Sequence, residues 1–444
     1  MNTYLFEINL IFLFYRSLYC FPLCHFIVIY FIRFQPVDLS DTVKVLTWNR
    51  RCLSIVGIWP LKVYDPIFLF SIVYLAIHFV LGILDLTNYS NNFDLIVANI
   101  TENMVMLNTL IKMTICRYYR DSLAQFLLTI RKDFKVESYK SQDEILTFFA
   151  YNRLSYLFGV ISLSFMGVIS IIYFLVSLIT NVQMGNYFQR LNVFIIKKGR
   201  NEIRPLLVTV MDNSSFGYQL PYKTRPIIKI NDPTTYGLHC LYQVIILPLI
   251  TFGSVGYDSF FITLSLHVTA QLSVLKYRVK LALEDPNGCQ CGMKKLIKRH
   301  YGLIRLVDIL EDAFNFGILE HLLGTTFNLC ISGYNAITRS SNGQLLELFL
   351  FFIFSSIILS TLFVYCYSGE CLIQESTDFA MAFYEYEWYD ISPVNLKMVL
   401  ICMIRASKPL QLTSGKFFVL SLCTFTDILK TSMGYLSVLR TMLL

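Results

Sequence analysis

The feature that most constrains this chain is a succession of apolar stretches, each near the length of one bilayer crossing, that runs from Pro66 almost to the last residue. A helix needs about 20 predominantly apolar residues to cross the hydrocarbon core. The first stretch, residues 67–86 (IFLFSIVYLAIHFVLGILDL), carries a single acid near its end. In lipid every backbone N–H and C=O has to be paired internally, so only helices and closed barrels span. Runs this long select helices. Only 15% of the 444 residues are charged, against about 25% in soluble domains. That deficit leaves too little polar surface for a soluble fold, and it excludes disorder, a coiled coil and a nucleic-acid module.

Further spans are expected at residues 93–115, interrupted by Glu102 and Lys112, and at 148–180. The next, 236–271, holds Pro248 and Gly253 as kink points. Two more follow at 313–338 and 345–367. The last region divides into 394–406 and 416–439, with Pro409 and Gly415 between them. Broken helices are tolerated at membrane depth where they are buried or face water. The expected fold is therefore an all-α membrane protein of seven transmembrane helices, the last broken into two halves. Residues 1–36 read as an atypical hydrophobic extension, with an eighth span as the alternative, and have neither the basic start nor the cleavage pattern of a signal peptide. Residues 37–66 are expected as a cytoplasmic N-terminal segment ahead of the seven-helix domain, 67–444.

Basic residues orient the bundle. Six Lys and Arg precede the first span, and six more (Arg117, Arg120, Arg131, Lys132, Lys135, Lys140) lie between the second and third. Eight lie between Lys276 and Arg305, whereas residues 87–92 have none and the loop after the fifth span has only Arg339. Short cytoplasmic loops carry the excess of Lys and Arg, so the N-terminus is expected inside and the C-terminus outside. The glycosylation tripeptides at Asn88 and Asn213 fall in outer loops on this topology, while that at Asn99 falls within a span. An inside N-terminus is the reverse of a G-protein-coupled receptor.

No catalytic arrangement emerges. The six His lack metal-ligand spacing, the twelve Cys are scattered with only a C-x-C at Cys289 and Cys291, and no phosphate-binding or nucleophile-elbow motif is present. No catalytic residue, metal or cofactor is expected. The final stretch is more informative, because Lys416, Asp427 and Lys430 interrupt it. A charge costs roughly 2.5–3.5 kcal/mol at mid-bilayer, so these groups should face protein or water. Asp427 and Lys430 are either a pore-facing polar pair or an i, i+3 ion pair on one helix face. Hydroxyls at Thr424, Thr431, Ser432, Ser437 and Thr441 extend a polar stripe. A small-molecule cavity is expected in the outer halves of the third, fourth and sixth spans. Its candidates are Ser164, Gly167, Ile171 and Tyr173, then Tyr242 and Pro248, then Phe352 and Ser356. Ser164, Gly167 and Ile171 share one helix face by spacing, and an apolar pocket with few polar groups suits a volatile or hydrophobic ligand.

Several motifs carry a resemblance. Phe363-Val-Tyr-Cys-Tyr-Ser-Gly-Glu370, Gln374-Glu-Ser376 and Trp388-Tyr389 resemble the end of the sixth helix of insect odorant receptors. Arg405-Ala-Ser-Lys-Pro-Leu410, Thr413-Ser-Gly-Lys-Phe-Phe418 and Thr424-Phe-Thr-Asp-Ile-Leu-Lys-Thr-Ser432 with Gly434-Tyr435 resemble the start and course of that family's last helix, in a hymenopteran-like form. Trp48-Asn49-Arg50, Gly57-Ile-Trp-Pro60 and Leu220-Pro-Tyr222 are also similar. The resemblance implies an inverted seven-helix subunit of an odorant-gated, non-selective cation channel in the plasma membrane of a sensory-neuron dendrite. It implies a heterotetramer with the shared odorant co-receptor and a volatile ligand in the outer-half cavity. By position in the terminal motif it places the gate at Val438, with Thr441 and Met442 beside it. Residues 1–36 have no family counterpart, and Arg440 puts a positive charge near the cation path. A gustatory-type receptor of the same architecture and a secondary transporter with a broken helix remain the alternatives.

Overall fold

A computed structural model describes residues 40–62, 64–87, 93–134, 139, 141–198, 220–230, 232–285, 288–340, 345–386 and 392–443. The N-terminal extension and the sequons at Asn88 and Asn213 lie outside this range.

Helix α1 (Ser40–Ile55) is amphipathic and precedes the bundle. It is anchored by Asn49, whose Nδ2 donates to Thr263 Oγ1 at 2.9 Å. The chain then reverses at Gly57, which has a φ of 76°. A side chain there would run into the backbone of Phe68, so this turn requires glycine. Trp59 of the same motif packs on Phe260, with ring centroids 5.8 Å apart. The bundle follows as α2 (Asp65–Leu86), α3 (Phe93–Tyr118), α4 (Arg120–Ile130), α5 (Gln142–Lys198), α6 (Pro233–Leu283), α7 (Cys289–Ser340), α8 (Leu345–Tyr384), α9 (Pro393–Ala406) and α10 (Leu422–Leu443). Prolines open α2, α6 and α9 in their first turns, where the missing N–H costs nothing.

The expected spans map in order onto α2, α3, α5, α6, α7, α8 and the broken pair α9 and α10. Among the described residues, α2, α6 and the segments Gln142–Asn181 and Ser355–Tyr384 are apolar enough and long enough to cross a membrane. Helix α6 is the axis of the fold. It packs against α1, α3, α5, α7 and α8, and every residue from Val255 to Leu275 is buried. It runs through Pro248 and Gly253 without interruption.

Two expected boundaries are corrected. The basic stretch 276–305, read as a loop, is helix on both sides of a turn at 284–288, closed by Gly288 with a φ of 95°. The physical reason lies in its periodicity. Val279, Ala282, Leu283, Met293, Leu296, Leu303 and Leu306 are buried at helical spacing, while the intervening Lys and Arg lower the hydropathy. The last helix begins at Leu422 rather than Lys416. Residues 413–419 form a hairpin, Thr413–Ser414 against Phe418–Val419. Its turn is closed by Phe417 N–H to Ser414 O at 3.2 Å. Gly415 and Lys416 both have positive φ, 59° and 63°, the hand that suits hairpin turns.

The polar ends of α6, α7 and α8 are held by a network. Asp133 accepts from Arg299 at 2.7 Å and contacts His267 at 3.2 Å. Arg278 pairs with Glu144 at 2.7 Å, and Lys276 with Glu375 at 3.2 Å and Asp378 at 3.0 Å. Burial pushes the Asp133 carboxyl up, but the His267 hydrogen bond and the Arg299 charge outweigh it and hold the group below the usual carboxylate range. His300, packed on Phe379 at 4.6 Å, is lowered to about 4 by burial and then by the Arg405 charge.

Candidate ligand-binding cavity

The outer ends of α2, α3, α5 and α6 are capped by residues 220–225. Gln243 grips this segment by accepting from Tyr222 N–H and donating to Tyr222 O and Thr224 Oγ1, each at 3.0 Å. Glu102 accepts the Lys223 N–H at 2.8 Å and the Tyr173 hydroxyl at 2.5 Å. Asn99 donates to Lys223 O and Gly82 O at 3.0 and 3.1 Å. The charge that interrupts the second span therefore pins a loop, and the buried Asn99 has no access to glycosylation.

Deeper in the bundle, α3, α5, α6, α7 and α8 surround a cavity of about 70 Å³, where roughly 10–15 Å³ admits one water. Its walls are divided. Val105, Phe158, Met166, Ile357 and Ile358 are apolar, whereas Asn108, Lys112, Asp258, Glu320 and His321 are polar. Lys112, 1% exposed, lies 2.7 Å from Asp258 Oδ1 and 3.3 Å from Ser254 Oγ. Tyr365, from the sixth-helix motif, donates its hydroxyl to the same Asp258 oxygen at 2.5 Å. Tyr257 lies beneath the ammonium, its ring centroid 5.7 Å from Nζ. Asn108 Oδ1, Glu320 Oε2 and His321 Nε2 are buried with no hydrogen-bond partner. Each such group costs about 1–3 kcal/mol when left unsatisfied.

The expected ligand residues are spread around this cavity rather than gathered in it. Ser164, Gly167 and Ile171 do share a face, next to the exposed stripe of Ile161, Phe165 and Val168. Ile171 is 52% exposed, and space beside Gly167 is open. The cavity takes the other side of α5, through Phe158, Ser162 and Met166. Pro248 and Ser356 are likewise exposed. Tyr173 is bound to Glu102, and Tyr242 packs at a tilt against Tyr74 and His78 below the cap, with ring centroids 5.0 and 5.8 Å apart. The Phe352 side chain lies outside the described residues. Sequence reasoning missed Asn108, Glu320 and His321, although their polarity inside expected spans marked them.

On α10, Phe425, Ile428 and Ser432 face the bundle, and Asp427, Lys430, Thr431, Tyr435 and Val438 face away. Ser432 thereby leaves the expected stripe. Asp427 and Lys430 are 3.8 Å apart and both largely exposed, so the i, i+3 pair exists on the outward face. Lys416 sits in the hairpin turn, off the helix. Val438 is 51% exposed, and the side chains of Thr441 and Met442 are outside the described residues.

A profile of the 7tm odorant receptor family matches residues 92–433. The chain belongs to that family. Among individual odorant receptors, it is 30% identical to Odorant receptor 13a of Drosophila melanogaster over 159 residues, 33% of this chain and 38% of that one. It is 31% identical to the Odorant receptor coreceptor of Ooceraea biroi over 156 residues, 33% of this chain and 30% of that one. The chain thus spans about a third of the length of these curated relatives in the matched region. The solved insect olfactory receptor OR5 from Machilis hrabei, in complex with eugenol, superposes with a TM-score of 0.66 at 13% identity, covering 90% of this chain and 100% of that one. The odorant-receptor fold is shared along nearly the whole chain.

Proposed function

We propose that this chain is the ligand-binding subunit of an odorant-gated, non-selective cation channel. A small volatile or hydrophobic molecule occupies the cavity beneath the 220–225 cap, and the chain assembles with the odorant co-receptor as a heterotetramer in the membrane of a sensory dendrite. The observation that carries this reading is a cavity among five helices in a chain of the odorant receptor family. Val438, on the outward face of α10, is assigned as the gate, with Thr441 and Met442 next along the helix. The outward face of α10, with Asp427 and Lys430, lines the path, and the N-terminus is cytoplasmic. Tyr173 acts on the site indirectly, through the Glu102 carboxylate that holds the 220–225 cap, and Tyr242 packs beside it. Co-expression with the co-receptor should yield odour-evoked inward current without added G protein. Silence across a broad volatile panel, with the subunit at the cell surface, would reject the reading.

A further inference from the structure

The cavity wall carries a specific chemical demand beyond its volume. Asn108 Oδ1, Glu320 Oε2 and His321 Nε2 all lack partners, and His321 is only 6% exposed. Two of the three are acceptors that no protein donor reaches. The charges are also unequal. Lys112 is committed to Asp258 at 2.7 Å, and among the described residues no cation stands within ion-pair distance of Glu320. One cation therefore faces two carboxylates, and the rest of the wall is mixed: Phe158, Met166 and Ile357 are apolar, whereas Ser162, Thr325 and Thr361 carry hydroxyls.

We infer that Asn108, Glu320 and His321 form a polar subsite for the head group of an apolar ligand with one terminal hydrogen-bond donor, a short-chain primary alcohol or primary amine. An ammonium can donate to both orphaned oxygens and a hydroxyl to one of them, while the alkyl chain lies along Phe158, Met166 and Ile357. An ammonium additionally supplies the positive charge that Glu320 lacks. An ether or ester brings only acceptors, which meet the oxygens of Asn108 and Glu320 unfavourably. This inference rests on the channel reading for its electrical signal, but not for its binding signal.

The test uses an isosteric series: 1-pentanol, pentylamine, butyl methyl ether and hexane. In cells co-expressing the full chain and the co-receptor, the two donors should evoke current at concentrations at least about tenfold below those of the ether and the alkane. Glu320→Gln, which keeps an acceptor and removes the charge, should weaken the amine response about tenfold or more, and the alcohol response by a smaller factor than the amine's. Surface labelling confirms delivery of the variant, and the wild-type ranking stands without it. The purified full chain should be stabilised by both donors in a thermal shift assay and by neither of the others. Equal stabilisation by all four compounds, or none by any, overturns the inference whatever the currents, because the orphaned groups are then served by water alone. Selective stabilisation by the donors without evoked current upholds the subsite and rejects the channel reading instead.

Discussion

At the residue scale, the buried Lys112–Asp258 pair decides how the centre of the bundle holds together. Two ions taken out of water are tolerated only with close geometry and further hydrogen bonds, which Tyr365 and Ser254 supply. Lys112→Met alone should destabilise the chain by about 3–5 kcal/mol, since it strands Asp258. The double variant Lys112→Met with Asp258→Leu should recover most of that loss, read as the unfolding midpoint in detergent. Equal midpoints for the single and double variants would refute the pairing. The sequence marks Lys112 as an interruption of a span, but its partner lies 146 positions away, and nothing local links the two. The same limit explains the ligand candidates. Spacing correctly places Ser164, Gly167 and Ile171 on one face, but α5 is apolar all round over this stretch, so no asymmetry tells which face turns inward. Glu102, Asn108 and Glu320 are the better markers, because a polar group in an apolar helix needs protein, solvent or ligand nearby.

At the element scale, helix existence is readable and helix ends are not. Hydropathy falls at the expected span ends, yet α6 and α7 continue because side chains at helical spacing, such as Val279, Leu283, Met293, Leu296 and Leu303, are still buried. The hairpin of residues 413–419 was visible only as a break around Pro409 and Gly415. It is held to α7 by Gly415 N–H to Asn315 O at 3.1 Å and by Thr413 N–H to Glu311 Oε2 at 2.7 Å. Leu422 N–H donates to Glu370 at 3.1 Å, so the first turn of α10 is fixed to α8 as well. Gly415→Ala should cost about 1–2 kcal/mol from the left-handed backbone alone, and more because a Cβ there meets Leu319. Thermal unfolding measures it, and an unchanged midpoint would remove the hairpin from the stabilising contacts. Farther along α10, Val438→Ser should raise the current recorded without ligand if Val438 closes the path. An unaltered resting current would move the gate elsewhere.

At the scale of the whole molecule, the polar base should respond to acid in two steps. His300 is held at about 4 when folded, against roughly 6.5 when unfolded. Between those values the unfolded chain binds a proton that the folded chain refuses, so stability falls as pH drops through this window. Asp133 is held below its ordinary range, so its contribution persists above about pH 4 and is lost only on further acidification. The unfolding midpoint should therefore decline from about pH 6.5 downward, and His300→Gln should flatten that first decline. Orientation is tested by a tag after Leu444, which should be labelled on intact cells. One last consequence concerns α6. It is one continuous helix of 51 residues, about 76 Å measured along the helix at 1.5 Å per residue. Asp258 lies near its midpoint, so a tilt of roughly 5° there would sweep Leu283 sideways by about 3 Å. If a ligand tilts this helix about Asp258, a displacement too slight to repack the cavity is enlarged at the far end.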